Sequence, residues 1–349
     1  MKKLFRSYTL LLFLSTVALL CHAQKLRSPW DGTKIKTTNA GHICADPPAF
    51  SEILDVDGYY IDKNHSIIDP VKQAAYQKGS APVTQFGQAV TSAADDYITK
   101  GSPAGPPCVY SLLTAAAQAK AWTGKMPYHQ GVYVQHWLLS GVAMAYLKVR
   151  NSRYGKPEQD KAIQEWLAAL AVRVREYFDE HRQQGLSDGL NNHLYWTGLG
   201  VAAEGIAADD KNAFQWGINT YREGVKQIQA DGTLPLEMNR AGMALHYHLY
   251  ASAPLVLLAE LGEANKIDLY AENGGAIHKL VKRATDGIVD PRFFEQKTGV
   301  KQNIPTQISA TEIGWAVPYV NRFPNGTISS LIQRAQTTRL WQWGGFPPE

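Results

Sequence analysis

Two short stretches of this 349-residue chain hold the side chains best suited to chemistry. One is Asn191-Asn192-His193-Leu194-Tyr195-Trp196. The other is Arg240-Ala241-Gly242-Met243-Ala244-Leu245-His246-Tyr247-His248-Leu249-Tyr250. Together they supply an amide, imidazoles, a guanidinium and phenols, with no carboxylate pair among them. That inventory suits a reaction in which a substrate carboxylate is neutralised, a proton beside it is removed, and a neighbouring ether oxygen is protonated. An arginine holds both carboxylate oxygens in a fork. Amide and imidazole donors stabilise charge as it develops, and one such preorganised donor can be worth roughly 3–4 kcal/mol. A tyrosine beside an arginine, its pKa drawn down by the cation, is a candidate proton carrier. The candidate catalytic residues are therefore Asn192, His193, Arg240 and Tyr247.

Each of these needs an element to place it. Asn191 reads as the N-cap of a helix, which puts Asn192 and His193 in the first turn, where free backbone amides favour an anion. Arg240 and Tyr247 are seven residues apart, two helical turns, so a helix starting this early carries them on one face, and Tyr250 extends it. His246 and His248 are spaced i, i+2 and point to different sides of a helix. No zinc-type cysteine and histidine set accompanies them, so no metal is read here. A purely structural alternative stands beside each motif: Tyr247 and Tyr250 as core aromatics, the asparagines as caps, and His193 as a packed surface residue.

Around these motifs the pattern is helical. Candidate helices cover roughly 82–99, 108–123, 132–149, 158–183, 191–208, 211–229, 243–264, 274–287, 307–317 and 326–337. Ile163, Trp166, Leu167, Leu170, Val174 and Phe178 recur at three- and four-residue spacing. Residues 24 to about 80 are broken by proline and glycine and read as irregular. No alternating strand pattern appears. Helices in pairs with short connections predict a single-domain, all-α barrel or toroid of helix hairpins around a cleft.

Residues 1–23 read as a secretory signal: Lys2, Lys3 and Arg6, then an apolar Leu10 to Leu20, then the small Ala23. The apolar run is too short to span a membrane. The whole chain carries 35 basic and 31 acidic residues. Removing the signal's three bases leaves 32 against 31, a mature charge of +1. That excludes a nucleic-acid-type basic balance, and an acidic ligand then needs a local basic cleft. Two cysteines remain, Cys44 and Cys108. In an exported chain they read as a disulfide, with two buried free thiols as the alternative.

Taken together, Asn192-His193-x-Tyr195-Trp196, the spacing to Arg240, and Arg240-x6-Tyr247-His248 resemble polysaccharide lyase family five, the periplasmic or secreted alginate (mannuronate) lyases. Ala81-Pro82-Val83-Thr84 is similar to the family's segment before its first long helix. Cys44 and Cys108 sit where the family places a disulfide. Trp137 and Ala143 to Leu147 are similar to its mid-chain helix. The resemblance implies an incomplete α/α toroid over residues 24–349. It implies that Arg240 and Asn192 neutralise the uronate carboxylate, that His193 shares that role or acts as base, and that Tyr247 is the catalytic tyrosine. Lys63 looks like the lysine of an N-terminal lid within residues 24–80. Gln135, Trp137, Trp196, His246 and Tyr250 are similar to cleft-lining, substrate-binding positions. Two departures stand out: Met243 replaces a second arginine found in some members, and Gln135-His136 replaces a more basic pair. Both read as making the cleft less cationic, which opens it to polyglucuronate or hyaluronan beside polymannuronate.

The implied reaction is a β-elimination that leaves a 4,5-unsaturated uronate and needs no metal or cofactor. The implied partner is an anionic polysaccharide, with no nucleic acid and no membrane, and the implied state is a bacterial periplasmic or secreted monomer. Two rival readings remain. A glycoside hydrolase requires two carboxylates flanking the bond, with Glu204, Asp209, Asp210, Glu237 and Glu312 available. A non-enzymatic polysaccharide-binding protein would use the same Trp and Arg residues but has no need of Tyr247.

Overall fold

The computed structural model describes residues 25–349. The signal-peptide reading of residues 1–23 lies outside the described residues. Thirteen α-helices occur among those residues: α1 Pro70–Lys100, α2 Gly105–Gln118, α3 His129–Val149, α4 Pro157–Gln183, α5 Asn192–Ala208, α6 Lys211–Gln227, α7 Pro235–Met238, α8 Ala244–Ala264, α9 Glu272–Val289, α10 Arg292–Thr298, α11 Ala310–Ile313, α12 Ala316–Arg322 and α13 Gly326–Arg334. Among the described residues there is no strand ladder, only the isolated bridges Tyr60–Ile68 and Leu340–Gly345.

The helices sort into two layers by composition. Almost every residue of α3, α5 and α8 is buried. Such helices are apolar all round and must lie inside. By contrast α4, α6 and α9 bury one stripe each and show a charged face to water. Inner α5 packs on inner α3 and α8, while α4, α6 and α9 cover the outside of α5 and α8. This is the α/α layering expected of the hairpin pattern.

Close approach between the layers depends on small residues. α5 meets α6 at Gly198 and Gly217, where a Cβ on Gly217 would lie 2.5 Å from the Gly198 carbonyl oxygen and 2.6 Å from the Ala202 Cβ. The α5–α6 connection is tight because Asp209 takes the left-handed conformation (φ 57°) and Asp210 caps α6, accepting from the amides of Asn212 and Ala213.

Three expectations need correction. The first long helix begins at Pro70, not near 82, so the irregular segment ends earlier than predicted. Asp69 accepts from the Val71 and Lys72 amides and Pro70 occupies the first turn, a strong start signal. Pro82 sits inside this helix, so Ala81–Thr84 is helix interior and not a lead-in. The segment read as one helix over 307–317 is two short ones, α11 and α12, joined through Gly314 and Trp315. The break read at Asn273-Gly274-Gly275 is present, with all three at positive φ.

The N-terminal segment is anchored by the disulfide between Cys44 and Cys108, which ties it to α2 across 64 residues. Further along it, Asp62 folds a loop over the cleft by accepting from the amides of Asn64, Ser66 and Ile67. At the other end, buried Lys148 on α3 donates to Asp95 and to the carbonyls of Gly344 and Phe346, pinning the C-terminal tail across α1 and α3.

Candidate active site

The layering has a direct consequence for chemistry. A cleft of about 800 Å³ opens where the N-terminal ends of the inner helices converge. Tyr133 and Trp137 come from the first turns of α3, His193 from the first turn of α5, and His246, Tyr247 and Tyr250 from the first turns of α8. Helix N-termini carry partial positive charge and unpaired amides, so three of them favour an anionic ligand. The loop at 59–65 closes one wall with Tyr59, Tyr60, Lys63 and His65.

Arg240 and Tyr247 do come together, but not along one helix face. Arg240 precedes the left-handed Ala241 (φ 46°) and the short turn Ala241–Met243, and α8 starts only at Ala244. That turn folds the guanidinium over the Tyr247 ring, with the Arg240 Cζ 4.3 Å from the centroid. Behind it lies Glu237, fully buried on α7. Glu237 Oε1 accepts from the Asn192 backbone amide at 2.9 Å and from Asn192 Nδ2 at 3.0 Å, and its Oε2 stands 3.9 Å from Arg240 Nε. One carboxylate therefore ties α5 to Arg240. Burial holds its pKa above the ordinary carboxylate range, against the pull of Arg240 and the Asn192 bonds.

Tyr247 is 7 % exposed, and its hydroxyl shares a 2.9 Å hydrogen bond with that of Tyr60. Its pKa is pushed up to about 12 by burial, while Arg240 pulls the other way. The lowering expected from Arg240 is thus present but outweighed, because taking a phenolate out of water costs more than one neighbouring cation returns.

His193 is packed as tightly. Its ring stacks on Tyr133 at 3.8 Å and 12°, and its Nδ1 lies 3.4 Å from Nε2 of the buried His136. Burial drives the pKa of His193 well below the usual value, with His136 and Arg240 adding to the effect. The imidazole is therefore neutral at neutral pH. The proton shared with His136 decides whether its other nitrogen donates or accepts. Tyr133 is itself fixed by donating to Asp188 at 2.9 Å, and Tyr177 donates to the same carboxylate at 2.7 Å.

The remaining sequence candidates separate cleanly. Lys63, Trp137, His246 and Tyr250 line the cleft. Trp196 does not: it is 0 % exposed and packs on Tyr250 and Trp343, so it supports the cleft from behind and is no sugar platform. Gln135 does not either. It is 1 % exposed and donates to the carbonyls of Trp122 and Gly124, tying the loop before α3. Both were misassigned because a helix at the cleft presents only its first turns, and only one side of those. Asn192 is wholly buried, with its amide turned to Glu237. His248 uses both ring nitrogens on backbone, Nδ1 donating to Ala244 and Nε2 accepting from Leu234, and is a core histidine. Met243 lies outside the cleft lining, as do Gln135 and His136, so neither departure changes the wall of this cleft. Residues that sequence reasoning missed include Tyr60, Tyr133 and Asp188. Their signal was weak, since a lone tyrosine in an irregular segment or a lone aspartate in a turn has no spacing to mark it.

The cleft has the charge an acidic ligand needs. Lys63, Arg240 and Lys297 line it, and Asp188 is the one lining carboxylate among the described residues. Glu204, Asp209, Asp210, Glu237 and Glu312 are all absent from the lining. The paired carboxylates a glycosidase requires are not there.

The alginate lyase family profile matches residues 54–294, more than half of the chain and spanning every cleft residue from Tyr59 to Tyr250. The chain belongs to the alginate lyase family. A polysaccharide lyase of Stenotrophomonas maltophilia (strain K279a) is 40 % identical over 299 residues, covering 85 % of this chain and 87 % of that protein. An alginate lyase of Pseudomonas syringae pv. syringae (strain B728a) is 30 % identical, covering 83 % and 78 %. Among solved structures, alginate lyase A1-III in complex with a tetrasaccharide superposes with a TM-score of 0.77 at 23 % identity, covering 92 % of this chain and 88 % of that one. The 1.78 Å structure of alginate lyase A1-III from Sphingomonas species A1 gives 0.73, also at 23 % identity, covering 93 % and 90 %. These establish the fold as the all-α, single-domain α/α toroid. The lyase is a polysaccharide lyase of the alginate-cleaving class, acting on an anionic polysaccharide.

Proposed function

We propose that this lyase cleaves poly-β-D-mannuronate by β-elimination, with Tyr247 as the proton carrier. One observation carries the reading: Arg240, Tyr247 and His193 converge in a cationic, aromatic-walled cleft that has no carboxylate pair. The C5 proton of a uronate is only weakly acidic because its removal adds charge beside a carboxylate. Arg240 neutralises that carboxylate through a fork of N–H donors. Lys63 and the amides of three helix N-termini add positive potential. In mannuronate the C5 proton and the C4 oxygen share a ring face, so one group can serve both. Tyr247, ionised against the Arg240 guanidinium and the Tyr60 hydroxyl, takes the C5 proton and returns it to the departing O4. Neutral His193 completes the donor set around the carboxylate. Glucuronate has the same C4–C5 arrangement, which supports polyglucuronate and hyaluronan as secondary substrates. Guluronate has the opposite one and would need His193 as base and Tyr247 as acid. The disulfide fits an oxidising compartment, in keeping with periplasmic or secreted action.

The test is the ultraviolet absorbance of the new C4=C5 double bond, with polymannuronate, polyguluronate, polyglucuronate and hyaluronan supplied separately. Polymannuronate should give the largest kcat/KM. Tyr247→Phe should lose on the order of 100-fold or more in kcat while still binding polymer. Most activity surviving in Tyr247→Phe would sink the assignment.

A further inference from the structure

At the cleft rim, one nitrogen each from His129 and His181 and an oxygen of Asp188 lie within 4.8 Å of one another. His129 is the exposed first residue of α3, His181 lies in the last turn of α4, and Asp188 sits in the turn entering α5. The catalytic reading makes no use of the two histidines. We propose that these three residues form an inhibitory binding site for a divalent transition-metal ion of the zinc class.

The donor set is what such an ion takes: two imidazoles and a carboxylate, leaving a fourth position to water. A tetrahedral zinc with bonds of about 2.1 Å needs its ligand atoms about 3.4 Å apart. His129 Nδ1 now shares a hydrogen bond with the Tyr177 hydroxyl, and the ion takes the place of that contact as the exposed ring closes on it. His181 is already positioned, with Nδ1 2.9 Å from the Asp188 carboxylate.

The link to activity runs through Asp188. Its carboxylate now accepts from the hydroxyls of Tyr133 and Tyr177. A cation on an Asp188 oxygen competes with those protons for the same lone pairs. Tyr133 then loses the anchor that holds its ring against His193. Filling the site therefore loosens a cleft group from the cleft's edge, where Asp188 stands. This inhibitory half rests on the lyase reading of His193, whereas the binding half does not.

The experiment titrates zinc chloride into the mature chain by calorimetry in a non-chelating buffer without substrate, then measures polymannuronate turnover across the same zinc range. His129→Ala is the control. His129 does not line the cleft, so basal turnover should be unchanged. One zinc per chain should bind, with affinity at least about tenfold weaker in His129→Ala. Zinc should slow the wild type, EDTA should restore it, and His129→Ala should resist. Because polyuronates themselves take up divalent cations, loss of substrate to zinc would slow both proteins equally. No saturable binding, or equal binding by His129→Ala, overturns the site. Binding lost in His129→Ala with equal zinc effects on both rates overturns the coupling. A chain with no lyase activity leaves the calorimetry to decide the site alone.

Discussion

Tyr247 is where burial and charge oppose each other most directly. Its phenol is neutral at neutral pH because burial pushes the pKa up to about 12 despite Arg240. If the phenolate takes the C5 proton, its population grows tenfold with each unit that the pH rises toward that value. The kcat of the wild type should therefore climb from about pH 6 to about pH 9, and that of Tyr247→Phe should stay low and flat. The climb has no competing loss from His193, which is already neutral in this range. A rate that falls over this interval would move the base role away from Tyr247. Arg240 and Tyr247 were legible as a pair, but by the wrong geometry. Their proximity comes from the positive-φ Ala241 and the turn after it. Nothing in a seven-residue spacing distinguishes a helix face from a turn folded back on a helix start.

Among the elements, the inner helices do the positioning and the outer ones make their close approach possible. Gly217 on α6 sits against Gly198 and Ala202 of α5. Gly217→Ala should lower stability by about 1–3 kcal/mol by overpacking this contact, read as a lower denaturant midpoint with unchanged slope. Its effect on KM should be small, because the cleft lies at the N-terminal end of α5 and Gly217 packs mid-helix. Most helices were legible from three- and four-residue periodicity, and α4 and α5 nearly to the residue. The start of α1 was not. Its N-terminal half exposes much of its surface and shows little apolar periodicity, so the Asp69-Pro70 cap was the usable signal. The cleft assignments of Trp196 and Gln135 failed at this scale too, because helical position says which residues are near a helix start but not which neighbour covers them.

On the scale of the molecule, stability has one covalent and one protonic term to test. The 64-residue separation of Cys44 and Cys108 makes the bond worth about 4 kcal/mol in the chain-entropy treatment. Replacing both with serine should lower the denaturant midpoint accordingly and leave kcat little changed, since neither lines the cleft. The protonic term comes from His136, His193 and His248, all buried and all held below the ordinary imidazole value by burial. For His248 the folded value is about 4 against 6.5 unperturbed. The unfolded chain binds these protons first, so stability is full above about pH 6.5 and falls as the pH drops toward about 4. His248 alone contributes roughly 3 kcal/mol to that fall. Unfolding free energies measured between pH 7 and pH 4 should show it, and a flat profile would contradict the neutral burial of these rings.

The sequence by itself determined the all-helical class and the pairing of Cys44 with Cys108, and it offered four candidate catalytic residues, of which His193, Arg240 and Tyr247 line one cleft while Asn192 lies buried against Glu237. The helical class depends on local periodicity, and the disulfide and the candidate residues on residue type and motif, all of which survive without knowledge of what packs against what. The tertiary structure alone decided that three inner helices aim their N-termini at one cleft and that Glu237 lies behind Arg240 and Asn192. It also decided that Tyr60 reaches Tyr247 across 187 residues and that burial outweighs Arg240 in setting the phenol's pKa. Each of these is a long-range contact or a desolvation, and both depend on which surfaces meet when the helices close around the core.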